Sequence, residues 1–183
     1  MKLKSRDIIL VLLGLCAIVG SDSVAQKNTL KSAPSTFAPD DDNRGFKNAM
    51  PPSDVVLDAL LKTPEAVEMK EELSNRDRES LRSLFEVVRV NLVENGEKDF
   101  LALGEGPMTG ADCFWFWLVR VRKGKADVLL FSNGLSFRLR TQKTNQYKNI
   151  EVDWATARFI GWQLYRYNGS VYRLGAEHTK ENK

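Results

Sequence analysis

The chain is predicted to be an α+β protein, with N-terminal helices packed on an antiparallel β-meander sheet of about 6–8 strands. Three observations predict this class. Helix-spaced apolar residues are confined to a stretch beginning at Ser53, two-residue turn signals recur beyond residue 86, and apolar side chains suffice for one core. Of 183 residues, 43% are hydrophobic and 28% charged, with nine Phe and four Trp. That balance excludes wholesale disorder, collagen-like chains and multi-span membrane proteins. Typical domains run to about 100–150 residues, so the length suits one domain once the non-globular ends are set aside.

Lys2, Lys4 and Arg6 precede a twelve-residue apolar run from Ile8 to Val19, and Ser23-Val24-Ala25 then places small residues at the −3 and −1 positions of a cut after Ala25. This three-part pattern predicts a signal peptide over residues 1–25 and a protein exported to the periplasm or secreted. The apolar run is short for a span of about 30 Å, and only an uncleaved leader would tie the protein to a membrane. Cys16 leaves with the leader, so Cys113 is the one thiol of the mature chain and an internal disulfide is excluded. Its place at the start of an apolar run predicts burial as a small hydrophobe.

Residues 26–52 hold Pro34, Pro39, Pro51 and Pro52 without apolar periodicity, and read as a disordered linker. Asp40-Asp41-Asp42 is a solvated charge run there. The single α+β domain is expected over residues 53–174. Ser53 caps a short helix bearing Val55, Val56, Ala59 and Leu60; Thr63-Pro64-Glu65 starts another with proline in its first turn; Ser74-Asn75 offers a further cap before Leu81, Leu84, Phe85 and Val88 at helical spacing. The β-branched run Val87-Val88-Arg89-Val90 announces the first strand.

Asn95-Gly96, Lys123-Gly124, Asn133-Gly134 and Asn168-Gly169 each separate apolar runs, and such pairs tolerate the positive φ of a tight hairpin turn. Strands are expected at Val87–Val93, Asp99–Leu103, Phe114–Val121, Val128–Phe131, Leu135–Leu139, Ile150–Trp154, Phe159–Tyr167 and Val171–Leu174. Phe114-Trp115-Phe116-Trp117 sends aromatics to both faces of a strand, so that strand is central and covered on both sides. The polar end, residues 175–183, reads as a flexible tail.

Asn91-Leu-Val-Glu-Asn95-Gly96-Glu-Lys-Asp99 aligns with the calcium loop D-x-[DN]-x-D-G-x-x-D. This segment resembles the degenerate DLNGDGKPD-type hairpins of secreted bacterial proteins related to FG-GAP and VCBS repeats. Together with Thr144–Ile150 and Tyr165–Tyr172, it is similar to uncharacterised exported bacterial domains in which helices precede a β-meander. The resemblance implies the hairpin shape. It does not imply a metal, because calcium needs about six oxygens and Val93 supplies none. No metal and no cofactor is expected.

The single His, His178, lies in the polar tail, which removes most triad and metal-site chemistry. Gly104–Gly110 imitates a phosphate-cradling loop, but a strand follows it and no helix dipole is offered; it reads as a wide flexible connection. Glu151 and Asp153 share one strand face, with backbones about 6.5–7 Å apart. An exported hydrolase of envelope polymers would use paired carboxylates drawn from Glu105, Asp112, Glu151 or Asp153.

Charge distribution points elsewhere. Residues 53–97 hold six Lys and Arg against eleven Asp and Glu, whereas residues 98–174 hold twelve against six. The sheet half is basic, with Arg120, Arg122, Lys123, Lys125, Arg138, Arg140, Lys143, Lys148, Arg158, Arg166 and Arg173 at strand ends and turns. The candidate binding residues are Arg120, Arg122, Arg138 and Arg140, with Trp115 and Trp117 as an aromatic platform. The partner expected is an anionic envelope component or a protein, with no nucleic acid, since the net charge is only +3. A non-enzymatic binding domain is the first reading; an envelope hydrolase and a hydrolase inhibitor are the alternatives.

Overall fold

The computed structural model describes residues 36–39, 45–93, 98–110 and 113–182. The expected signal peptide, much of the expected linker, the Asn95-Gly96 turn and Asp112 lie outside those residues. Strand β1 (Thr36–Phe37) comes first, followed by helices α1 (Asp54–Leu60), α2 (Pro64–Glu68), α3 (Lys70–Leu73) and α4 (Arg78–Arg82). Strands β2 (Phe85–Val90), β3 (Lys98–Gly104), β4 (Phe114–Arg122), β5 (Lys125–Gly134), β6 (Ser136–Thr144), β7 (Tyr147–Ala155), β8 (Phe159–Tyr167) and β9 (Tyr172–Glu181) complete the chain. The class is α+β, dominated by antiparallel strands. Two details depart from expectation: the helices stand between β1 and β2, and the strands form two sheets in place of one. The first sheet runs β2-β3-β4-β5 and the second β1-β6-β7-β8-β9.

Asn133-Gly134 explains the second sheet. It was expected to turn a hairpin, yet both residues belong to β5, and β6 begins after Leu135 in the other sheet. A Cβ on Gly134 would lie 2.4 Å from the Asp153 carbonyl oxygen and 2.5 Å from Val152 Cγ1. The glycine is therefore required by a close backbone approach at the sheet switch, where Leu135 N–H donates to the Asp153 carbonyl at 2.7 Å. Lys123-Gly124 does form a hairpin with both φ positive, and Asn168 closes the β8–β9 turn by accepting from Ser170 and Val171 N–H. The β6–β7 turn uses Asn145 and Gln146 at φ 51° and 73°, a reversal without glycine that the turn signals passed over.

The strands alternate between two cores. Val88, Val90, Leu101, Leu103, Phe116 and Leu118 of the first sheet meet Phe137, Leu139, Ile150, Val152, Tyr167 and Tyr172 of the second. The opposite face of the first sheet, with Val87, Ala102, Trp117 and Val119, packs under Val56, Leu57, Leu60 and Ala66 of the helices. The layers are thus helices, first sheet, second sheet. β4 lies between β3 and β5, with Phe116, Trp117, Leu118 and Val119 fully buried, as its aromatic run demands.

The packed body is wider than residues 53–174. Phe37 and Phe46, in the stretch expected to be a disordered linker, are 6% and 7% exposed, and their rings lie against each other and, through Phe46, against Phe116. Each is an isolated apolar plug, which leaves no periodic trace. Residues 175–181, expected as a flexible tail, continue β9 on β8, because backbone pairing needs no apolar side chains. Gly104–Gly110 is likewise no open loop: Met108 is fully buried on the helix-side core, and a Cβ on Gly104 would strike the Met108 carbonyl at 1.8 Å.

The helices are short, and their exposed ends are tied by charge. Asp54 accepts from Arg82 at 2.8 Å and from Arg78 at 3.1 Å, and Asp77 caps α4 by accepting from Ser80 N–H at 2.7 Å. Hydrogen bonds from Arg82 and then Arg78 hold the Asp54 carboxyl below its usual range, and the Ser80 N–H and hydroxyl do the same for Asp77. A carboxyl depressed by folding adds stability that is complete above its unfolded value, about 3.9, and lost as pH falls through the folded one. Acid titration is therefore expected to weaken the helical layer below about pH 4. Far-ultraviolet ellipticity should follow that titration more weakly in Asp54→Asn than in the parent; equal pH dependence of the two would contradict it.

Candidate functional site

The expected binding residues separate into three places. Trp115 and Trp117 alternate toward the helices, where Trp117 is 0% exposed and packs edge-on to Phe85 and against Phe131. Trp117 is core and is not presented to solvent; Trp115 is partly buried beside it, its ring packed on Trp117 and Phe131. The reason is the helical layer, which covers the face that an isolated strand would have left open.

Arg120 points between the sheets and is 2% exposed. Its Nε donates to Asp99 Oδ1 at 2.8 Å, its Nη1 donates to the Tyr147 hydroxyl at 3.0 Å, and its guanidinium lies 4.5 Å from the Tyr147 ring centre. Asp99, aligned above with a calcium-ligand position, is 1% exposed and is turned to this arginine. Tyr172 closes the cluster: burial, and then the Asp99 charge, push its phenol far above its ordinary range, so it stays neutral and donates to the Lys148 carbonyl at 2.9 Å. Arg122 is exposed and reaches the same Tyr147 hydroxyl at 3.0 Å. Both arginines border a groove of about 880 Å³ between Thr63-Pro64, β5 and the β8–β9 turn. Lys62 and Arg122 on its rim stand against Glu65 and Asp127, and Arg120 is paired with Asp99, so the groove has no strong sign of charge.

Arg138 and Arg140 stand on the outer face of the second sheet, and both buried clusters leave that face out. Inward Phe137, Leu139, Ile150 and Val152 dictate by alternation that Ser136, Arg138, Arg140, Glu151 and Asp153 point outward. Arg138 donates to Glu151 and, at 2.9 Å, to Asp153; Arg140 lies 3.2 Å from Glu151, and Ser136 Oγ donates to Asp153 at 2.7 Å. The carboxylates do share a face, as their spacing requires. Guanidinium groups engage both, and neither lines the groove at β5.

Register carries the face across β8 and β9. Glu151 opposes Leu164, which opposes Ala176; Asp153 opposes Trp162, which opposes His178. The Trp162 and His178 rings stack with centroids 5.8 Å apart. One row further, Arg166 opposes Arg173. Both are exposed, and among the described residues neither has an ion-pair partner. Like charges directly opposite on neighbouring strands destabilise the pairing. β9 carries an irregularity between these rows, at Gly175, and a Cβ there would meet Arg166 Cδ at 3.0 Å, so the arginine stem lies across the glycine. Asn149, next to Ile150 on β7, is 7% exposed, and its Oδ1 is buried with no hydrogen-bond partner among the described residues. Arg166, Arg173, Trp162 and His178 were not among the candidate site residues. The Trp162–His178 pairing was hidden because His178 was placed in a frayed tail. Arg166 and Arg173 were visible only as members of a charge count.

No protein-family model, curated protein or solved structure matches the chain.

Proposed function

We propose that this is an exported, non-enzymatic binding domain that holds an anionic envelope component or protein partner on the outer face of its second sheet. The observation that carries the reading is the arginine row. Arg138, Arg140, Arg166 and Arg173 share that face with two carboxylates, Glu151 and Asp153, both already engaged by Arg138 and Arg140. Arg166 and Arg173 are left as an opposed cationic pair whose repulsion a bound anion would relieve. The leader-like N-terminus supports the exported setting. Glu151 and Asp153, the carboxylate pair on one strand, sit in an ion-pair array on an open sheet face.

The test is retention of the purified protein on immobilised envelope extract under a rising salt gradient. Arg166→Glu with Arg173→Glu is expected to elute at markedly lower salt than the parent, while Arg89→Glu, an exposed arginine on the edge strand of the other sheet, elutes close to it. Equal elution of the doubly reversed protein and the parent would refute the proposal.

A further inference from the structure

From the same face, and resting on the reading of it as an anion-binding surface, we infer that the ligand is an extended anionic polysaccharide. It stacks a sugar ring on Trp162 and places an acidic substituent between Arg166 and Arg173. Trp162 and Arg166 stand on one strand, four residues apart, on the same side of the sheet. At a rise of about 3.3 Å per residue they lie roughly 13 Å apart. A ligand touching both must be a chain, because one sugar ring or one phosphate cannot reach.

What lies between and beside these anchors chooses the kind of chain. Leu164 and Ala176 form the floor from Trp162 toward Arg166, beside the array of Arg138, Arg140, Glu151, Asp153 and Ser136. That array presents guanidinium donors and carboxylate acceptors fixed by one another and close to neutral in sum. Such a surface suits alternating hydroxyl donors and acceptors. The apolar C–H face of a pyranose packs on an indole, whose π face is negative and attracts C–H edges.

A polypeptide is disfavoured by the same geometry. Peptides recognised by sheets add to an edge, where their backbone groups find partners. These residues lie on a face, and the face offers side chains only.

Titration calorimetry of the full chain with polygalacturonate, a neutral glucan of equal length, polyglutamate and single-stranded RNA tests the inference. Polygalacturonate is expected to bind. Trp162→Ala should weaken it by about tenfold or more, as truncating an aromatic anchor does. Arg166→Glu with Arg173→Glu should abolish it. Polyglutamate, attracted by charge alone, should bind more weakly than polygalacturonate and be insensitive to Trp162→Ala. Trp162→Phe, which keeps an aromatic face, should retain most of the affinity, and unchanged circular dichroism of each variant separates lost binding from lost folding. If both polyanions bind alike, Trp162→Ala changes neither, and the arginine reversal abolishes both, the polysaccharide inference fails while the anion-binding face stands. Tighter binding of RNA than of polygalacturonate overturns the inference in favour of nucleic acid. If the reversal changes nothing, both fall.

Discussion

Asp99→Ala is expected to destabilise the protein by about 3–5 kcal/mol, because it removes the carboxylate paired with a guanidinium that remains buried. Arg120 and Asp99 are 2% and 1% exposed and 2.8 Å apart, at the end of the inter-sheet core near Tyr147, Tyr167 and Tyr172. Little water reaches Arg120 to replace the lost partner. The distinguishing measurement is the pair of variants. Asp99→Leu with Arg120→Met removes both charges and should recover most of the loss, since swapping a whole buried ion pair for apolar side chains is often neutral or stabilising. Chemical denaturation of the single and double variants reads the result. A single variant within about 1 kcal/mol of the parent would mean that Arg120 has no need of Asp99.

Trp117→Ala is expected to cost about 3–5 kcal/mol, the usual penalty for emptying a buried aromatic site. For a domain of this size each kcal/mol lowers the thermal midpoint by about 2–4 °C, so a fall of roughly 10 °C follows. Trp117 is 0% exposed, packs on Phe85 and Phe131 of its own sheet, and belongs to the cluster that joins that sheet to Val56, Leu57 and Leu60 of α1. Trp115→Ala, at a partly exposed position on the same face, should cost less. Neither change should alter polyanion retention by the folded protein, because both rings lie on the helix-facing side of the first sheet and the arginine row lies on the far side of the second sheet. A Trp117→Ala protein that kept its midpoint but lost retention would return this tryptophan to the binding surface.

The difference between the two tryptophan pairs shows what a linear pattern conveys. Phe114-Trp115-Phe116-Trp117 announces a strand covered on both sides, and β4 is such a strand, because side-chain alternation is a local property of an extended backbone. The pattern carries no information about which covered face meets helices and which meets a second sheet. Trp162 is unremarkable in its own strand, and becomes part of a surface only when β9 brings His178 beside it and β7 brings Asp153.

Charges behave likewise. The basic surplus after residue 98 is legible by counting. The count cannot tell Arg120, neutralised between sheets, from Arg166, exposed and opposed to another arginine. Asn133-Gly134 is a third case: the pair marks a place where backbones need room, and a hairpin turn and a sheet switch need it equally.

By itself the sequence determined the α+β class, the presence of the eight strands from β2 to β9, with β6 and β9 ended well short of Thr144 and Glu181, the central place of β4, and the basic character of the sheet half. These follow from spacing, alternation and composition, which act over a few residues or add up over many. Only the tertiary structure decided that the meander divides into two sheets at Gly134, that Phe37, Phe46 and the last residues belong to the fold, and that the arginines separate into a buried pair and an open row. Those outcomes depend on contacts between segments far apart in the chain, where burial and register settle each side chain's neighbours.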